Sequence, residues 1–101
     1  MEFEEVFAQP EVQQLMRAFL TLRSEEDARA FMTDLCTPRE ISDFAQRFAV
    51  ARHLEEGDSY MSVQEKTGAS STTVSRVSKT LNDGEGGYQQ VFERLDEDEV
   101  E

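Results

Sequence analysis

TGASSTTVSRVSKTLN, residues 67–82, holds no acidic side chain, in a chain with 22 acids against 10 bases and a formal charge of -12. Gly68 suits the left-handed backbone that ends one helix, because it carries no Cβ to clash. Ser70 or Ser71 then caps a second helix. Val74, Val77, Ser78 and Leu81 recur at helical spacing and predict its inward face. Ser71, Thr72, Thr73 and Ser75 are left outward, with Arg76 and Lys79 adding charge on the same side. Just upstream, Ser62-Val63-Gln64-Glu65 reads as a capping box opening a helix of about five residues. Two helices joined by a short turn containing glycine form a helix-turn-helix. Small hydroxyl residues let such a helix sink into a major groove about 12 Å wide, where hydroxyls can bond phosphates or bases.

The rest of the chain is also helical in pattern, with no alternating strand run and no Asn-Gly hairpin turn. Thr37-Pro38-Arg39-Glu40 is a second capping box, with Pro38 in the first helical slot. From there Ile41, Phe44, Ala45, Phe48, Ala51 and Leu54 give one apolar face, and Gly57 supplies the stop. A helix over 38–56 predicted in this way is the spine of the fold. Upstream, Pro10 opens a helix carrying Val12, Leu15, Met16, Phe19 and Leu22. Ser24 caps another through Ala28, Phe31, Met32 and Leu35, with Glu25, Glu26 and Asp27 in the first turn where the helix dipole favours them. Downstream, Asn82–Gly87 ends the motif with φ-permissive residues, and Tyr88, Val91, Phe92 and Leu95 predict a last helix. Residues 96–101 read as a solvated acidic tail. The expectation is a single all-α domain over residues 1–95, of about six helices, with the helix-turn-helix at 62–82.

Composition bounds the function. Apolar residues make up 38% and charged residues 32%, as in a globular chain. No apolar run approaches the roughly 20 residues of a membrane span. The acidic start MEFEEVFAQP has no signal-peptide pattern. Cys36 is the lone cysteine, which fits a reducing, cytoplasmic setting. The acid is concentrated at the two ends. Residues 12–92 hold 12 acids against 9 bases, and Ser70–Asn82 has a local charge of +2. An anionic remainder lowers non-specific affinity for nucleic acid without forbidding a basic face from docking.

Other side chains support no chemistry. His53 has no histidine or cysteine at ligand spacing, so no metal is expected. Cys36 has no histidine within reach to activate it and reads as a small packed side chain. Glu25/Glu26 and Glu55/Glu56 lie in a first turn or on solvent faces. No catalytic constellation is present, and neither an enzyme nor a cofactor is expected. EFEEVF, near the start, is amphipathic but too acidic for a membrane surface; it suits packing on a partner copy.

A longer stretch carries a family resemblance. LCTPREISDFAQRFAVARHLEEGDSYMSVQEKTGASSTTVSRVSKTL resembles the tryptophan repressor family, and within it the YerC/YecD group of tryptophan-repressor-related proteins. The match runs through Leu35, Thr37-Pro38, Glu40, Arg47, Gly57, Met61-Ser62, Gly68-Ala69, Thr73, Arg76, Ser78 and Leu81. By that resemblance the fold is of tryptophan-repressor type and the functional unit an intertwined homodimer. Its two reading heads would sit one DNA turn apart, about 34–36 Å. The resemblance also aligns Thr37, Arg47, Arg76 and Thr80 with an effector site in which two arginines clamp a ring and a carboxylate. Val77 falls where the family keeps a small residue beside the ring, which disfavours tryptophan itself. Pairing of Arg47 and Arg76 with carboxylates such as Asp43 or Glu40 is the competing reading, so an effector stays open.

The functional expectation is a sequence-specific DNA-binding transcription regulator, a repressor, that binds double-stranded DNA of pseudo-palindromic sequence as a homodimer. Ser71, Thr72, Ser75 and Lys79 would face the groove, while Thr73 and Arg76 contact phosphate or brace the helix. The alternative is a dimeric helical interaction module without specific DNA binding. In that case acids such as Glu65 and Asp83 should break the basic stripe.

Overall fold

A computed structural model describes residues 1–100, with side chains described through Asp98. Seven helices and no strand are found among the described residues: α1 Phe3–Phe7, α2 Pro10–Phe19, α3 Glu25–Leu35, α4 Pro38–Glu55, α5 Tyr60–Thr67, α6 Ser71–Asp83 and α7 Gly87–Val100. The all-α expectation holds, with one helix more than the six read from sequence. The extra one is α1, the EFEEVF segment. Glu101, last residue of the expected tail, lies outside the described residues.

The chain forms two compact units, Met1–Thr37 and Pro38–Glu101. In the first, Pro10 opens α2 as its ring geometry favours. Ser24 caps α3, its hydroxyl accepting from the Asp27 backbone N–H at 3.0 Å. Phe19 meets Phe31 edge to face at 5.5 Å. None of these three helices has a fully buried residue.

The second unit contains the core. Val50 and Ala51 of α4, Val63 of α5, Ala69 of the turn, Val74 and Val77 of α6 and Phe92 of α7 are buried together. Leu54, Leu81 and Tyr88 pack against them. α4 begins at Pro38 as its sequence predicts and stops ahead of Gly57, which takes φ +94°. Apolar residues at α4's three-and-four spacing thus pack with α5 and α6, and Phe48 among them meets Tyr88 and Phe92 of α7.

Two local expectations are corrected. Ser59, not Ser62, caps α5: its hydroxyl accepts from the Ser62 backbone N–H at 3.2 Å. The helix therefore gains an N-terminal turn and reaches 8 residues. Gly57 reverses the chain early enough for Ser59 to take the cap, so Ser62 is already helical. Second, α7 continues through Val100. ERLDEDEV contains neither Gly nor Pro to stop a helix, and Arg52 of α4 pairs with Asp96 to hold that turn.

Candidate nucleic-acid interface

The turn between α5 and α6 is built by its own residues. Gly68 takes φ +74° and ends α5, with nothing within 4 Å of where a Cβ would be. Its need for glycine is conformational, not steric. The Thr67 hydroxyl donates to the Val63 carbonyl at 2.7 Å and accepts from the Ala69 N–H at 3.2 Å. Gln46 of α4 donates its side-chain amide to the Thr67 carbonyl at 3.3 Å. Ala69, Val63 and Val74 close over the turn from the core side. These contacts leave one face of α6 free.

On that face Ser71, Thr72, Ser75, Arg76, Lys79 and Thr80 are all exposed. A helical advance of about 100° per residue puts Thr72, Ser75, Arg76 and Lys79 on one side, opposite Val74 and Val77. Thr73 lies at the edge, half-buried, its hydroxyl accepting from the Ser70 hydroxyl at 3.1 Å. Ser70 is the cap, accepting from the Thr73 N–H at 3.1 Å. Neither Arg76 nor Lys79 joins an ion pair among the described residues. Asp83, the last residue of α6, is the first acid on the helix. Glu65 is exposed on α5.

The effector set is distributed differently. Thr37 is the last residue of the first unit, and Arg47, Arg76 and Thr80 belong to the second. Arg47 is exposed and lies over the Phe44 ring at 5.1 Å, a cation–π contact. Asp43 is engaged by Arg39 at 3.2 Å, not by Arg47. The Thr80 hydroxyl donates to the Arg76 carbonyl at 3.2 Å, a bond within the helix. Val77 is 4% exposed and sits in the core with Val50 and Ala51. Its β-branched side chain fills the α4–α6 seam.

Sequence reading missed the side chains that hold the motif in place. Asp58, between α4 and α5, accepts from Lys66 at 3.0 Å and lies 3.1 Å from the His53 Nδ1. The Lys66 hydrogen bond, helped by His53, holds the Asp58 carboxyl below its ordinary value of 3.8 against the opposing effect of desolvation. Tyr60 of α5 donates its hydroxyl to Ser78 of α6 at 2.6 Å. Gln89 of α7 donates to the Leu81 carbonyl at 2.7 Å, satisfying the end of α6. Each partnership spans helices, and no local pattern announces it.

A glycine-turned pair of helices, the second bearing an outward hydroxyl-and-cation face, defines a helix-turn-helix protein. The Trp repressor protein family model matches residues 10–96, and the chain belongs to that family. It is 43% identical over 91 residues to the "Uncharacterized protein YerC" of Bacillus subtilis (strain 168), covering 90% of this chain and 88% of that one. A solved TrpR-like protein from Eubacterium eligens ATCC 27750 superposes with a TM-score of 0.86 at 45% identity, over 90% of this chain and 94% of its own. A Staphylococcus aureus chain proposed as a Trp repressor gives 0.88 at 33% identity, over 95% of each chain.

Proposed function

We propose that this chain is a sequence-specific DNA-binding transcription regulator, acting as a repressor in the cytoplasm, that binds a pseudo-palindromic duplex as a homodimer. The observation that carries the reading is the outward face of α6: hydroxyls and two cations outside every described ion pair, with no acid before Asp83. Asp83 ends the stripe without breaking it, and the exposed Glu65 lies on α5 instead of α6, which favours DNA over a purely protein-binding module. Ser71, Thr72, Ser75 and Lys79 enter the groove; Arg76 takes phosphate, and Thr73 braces the cap. Family membership and the exposed apolar residues of the first unit support the homodimer. With Val77 seated in the core, α6 is held without a ring-shaped ligand, so DNA binding does not require tryptophan. Arg47 and Thr37 are then structural on this reading.

Selection of bound fragments from a genomic pool provides the site on which to test these roles. Both Arg76→Ala and Lys79→Ala should weaken binding to it; Arg76→Ala, the phosphate contact, should also reduce the salt slope by about one unit, and Lys79→Ala should relax discrimination at the base it reads. Unchanged affinity and slope in both variants rejects the assignment.

A further inference from the structure

The α5–α6 pair is closed at one end and open at the other. At the closed end Gly68 turns the chain, and Val63, Ala69 and Val74 are buried against one another. At the open end the two helices meet through Tyr60, in the first turn of α5, and Ser78, in the second half of α6. The Tyr60 hydroxyl donates to the Ser78 hydroxyl at 2.6 Å. Among the described residues this is the one side-chain hydrogen bond joining α5 to α6. Tyr60 is 50% exposed, and burial of its ring does not explain it. We propose that Tyr60 and Ser78 form a strut that fixes the splay of the two helices, making Tyr60 a positioning residue for DNA reading.

The geometry gives the strut leverage. Ser78 lies eight residues past the Ser70 cap, about 12 Å along the helix axis. A 1 Å slip there tilts α6 against α5 by about 5° over the same arm. In helix-turn-helix docking the first helix crosses the DNA backbone while the second reads bases. The splay therefore couples the register set by α5 to the reach of Ser75 and Lys79. Base contacts tolerate errors of only about 0.5 Å, whereas attraction to phosphate tolerates far more. Loss of the strut should blur sequence discrimination and spare electrostatic attraction. Ser78 lies toward the inner edge of α6, half-buried, so its hydroxyl serves α5 instead of the groove.

The inference rests on the DNA-reading function and deepens it. Its test is a double-mutant cycle with Tyr60→Phe and Ser78→Ala, each removing one hydroxyl and little else. Each single variant should lose about fivefold in affinity for the selected site, as for one hydrogen bond. The double variant should lose no more than either single one. Affinity for random duplex and the salt slope should not move, and amide hydrogens of residues 75–81 should exchange faster in Tyr60→Phe. Additive losses, an unchanged selected-site affinity, or an equal loss of affinity for random duplex would each overturn the strut. That last result makes Tyr60 a direct contact to the DNA backbone, since such contacts carry no sequence information. If the unaltered protein selects no site, the DNA-reading function fails on its own. The strut is then judged by exchange at residues 75–81: faster in Tyr60→Phe supports it, and unchanged rejects it.

Discussion

Residues 1–37 and residues 38–100 obey the same helix-forming rules and reach different ends. Both parts use Pro at a first turn, a serine cap and apolar residues at three-and-four spacing. The second closes a core around Val50, Val63 and Val74, each fully buried. The first buries no residue completely, and Leu20 is 84% exposed and Phe3 81%. Amphipathic helices draw most of their stability from packing an apolar face. A unit with faces and no core leaves apolar surface to cover, which the second copy of the proposed homodimer would do. Small chains commonly enlarge a core by association.

The largest effect should separate the two units. Phe92 is buried between Phe48 and Tyr88, with the Arg52 guanidinium over its ring at 4.9 Å. Phe92→Ala should cost about 3–5 kcal/mol, read by urea unfolding. Leu20→Ala should cost almost nothing in dilute monomer yet weaken association. The unaltered protein's unfolding midpoint should rise with protein concentration, and Leu20→Ala should flatten that rise. A midpoint independent of concentration in the unaltered protein would break the comparison, because the first unit would then be complete alone.

What the sequence disclosed follows the same division. Pro10, Ser24, Pro38, Gly57 and Gly68 mark element ends by local chemistry, and each is found where that chemistry places it. The outward residues of α6 were legible because one helix's periodicity needs no partner. The cap of α5 was misplaced because Ser59 and Ser62 both satisfy a local rule, and the reversal at Gly57 decides between them. Asp58, Tyr60 and Gln46 escaped notice because their partners lie 8, 18 and 21 residues away. The effector slot rests on the family resemblance alone. Val77 belongs to the core through α4, a contact that periodicity names only as inward.

A middle-sized effect sharpens the contrast between conformational and steric glycines. Gly84 has an ordinary φ of -83°, yet a Cβ there would fall 2.4 Å from the Thr80 carbonyl oxygen. Its backbone N–H donates to that same oxygen at 2.8 Å. The exit from α6 is thus too close for any side chain. Gly84→Ala should destabilise by about 1–3 kcal/mol. Gly87, which starts α7 with nothing within 4 Å of a Cβ, should tolerate Ala or gain about 0.4–1 kcal/mol. Equal thermal shifts for the two variants would remove the steric account.

The smallest effect concerns acid. Among the described residues, ion pairs are found in the second unit and none lies within residues 1–37. Asp58 has its carboxyl held below the ordinary 3.8, first by the Lys66 hydrogen bond and then by His53. A group whose folded value is depressed binds protons less readily than in the unfolded chain. Its contribution is therefore complete above about pH 4 and declines as pH falls through the lower folded value. Asp58→Asn removes the titrating group, so stability should fall less steeply below about pH 4 than in the unaltered protein. Lys66→Met should give an intermediate slope, since His53 still faces the carboxylate. Because the group is partly solvated, with its side chain 23% exposed, the change should be small beside that of Phe92→Ala. Urea midpoints across this range decide the matter: parallel acid limbs in all three proteins would mean that Asp58 joins α4 to α5 by geometry without storing proton-linked stability.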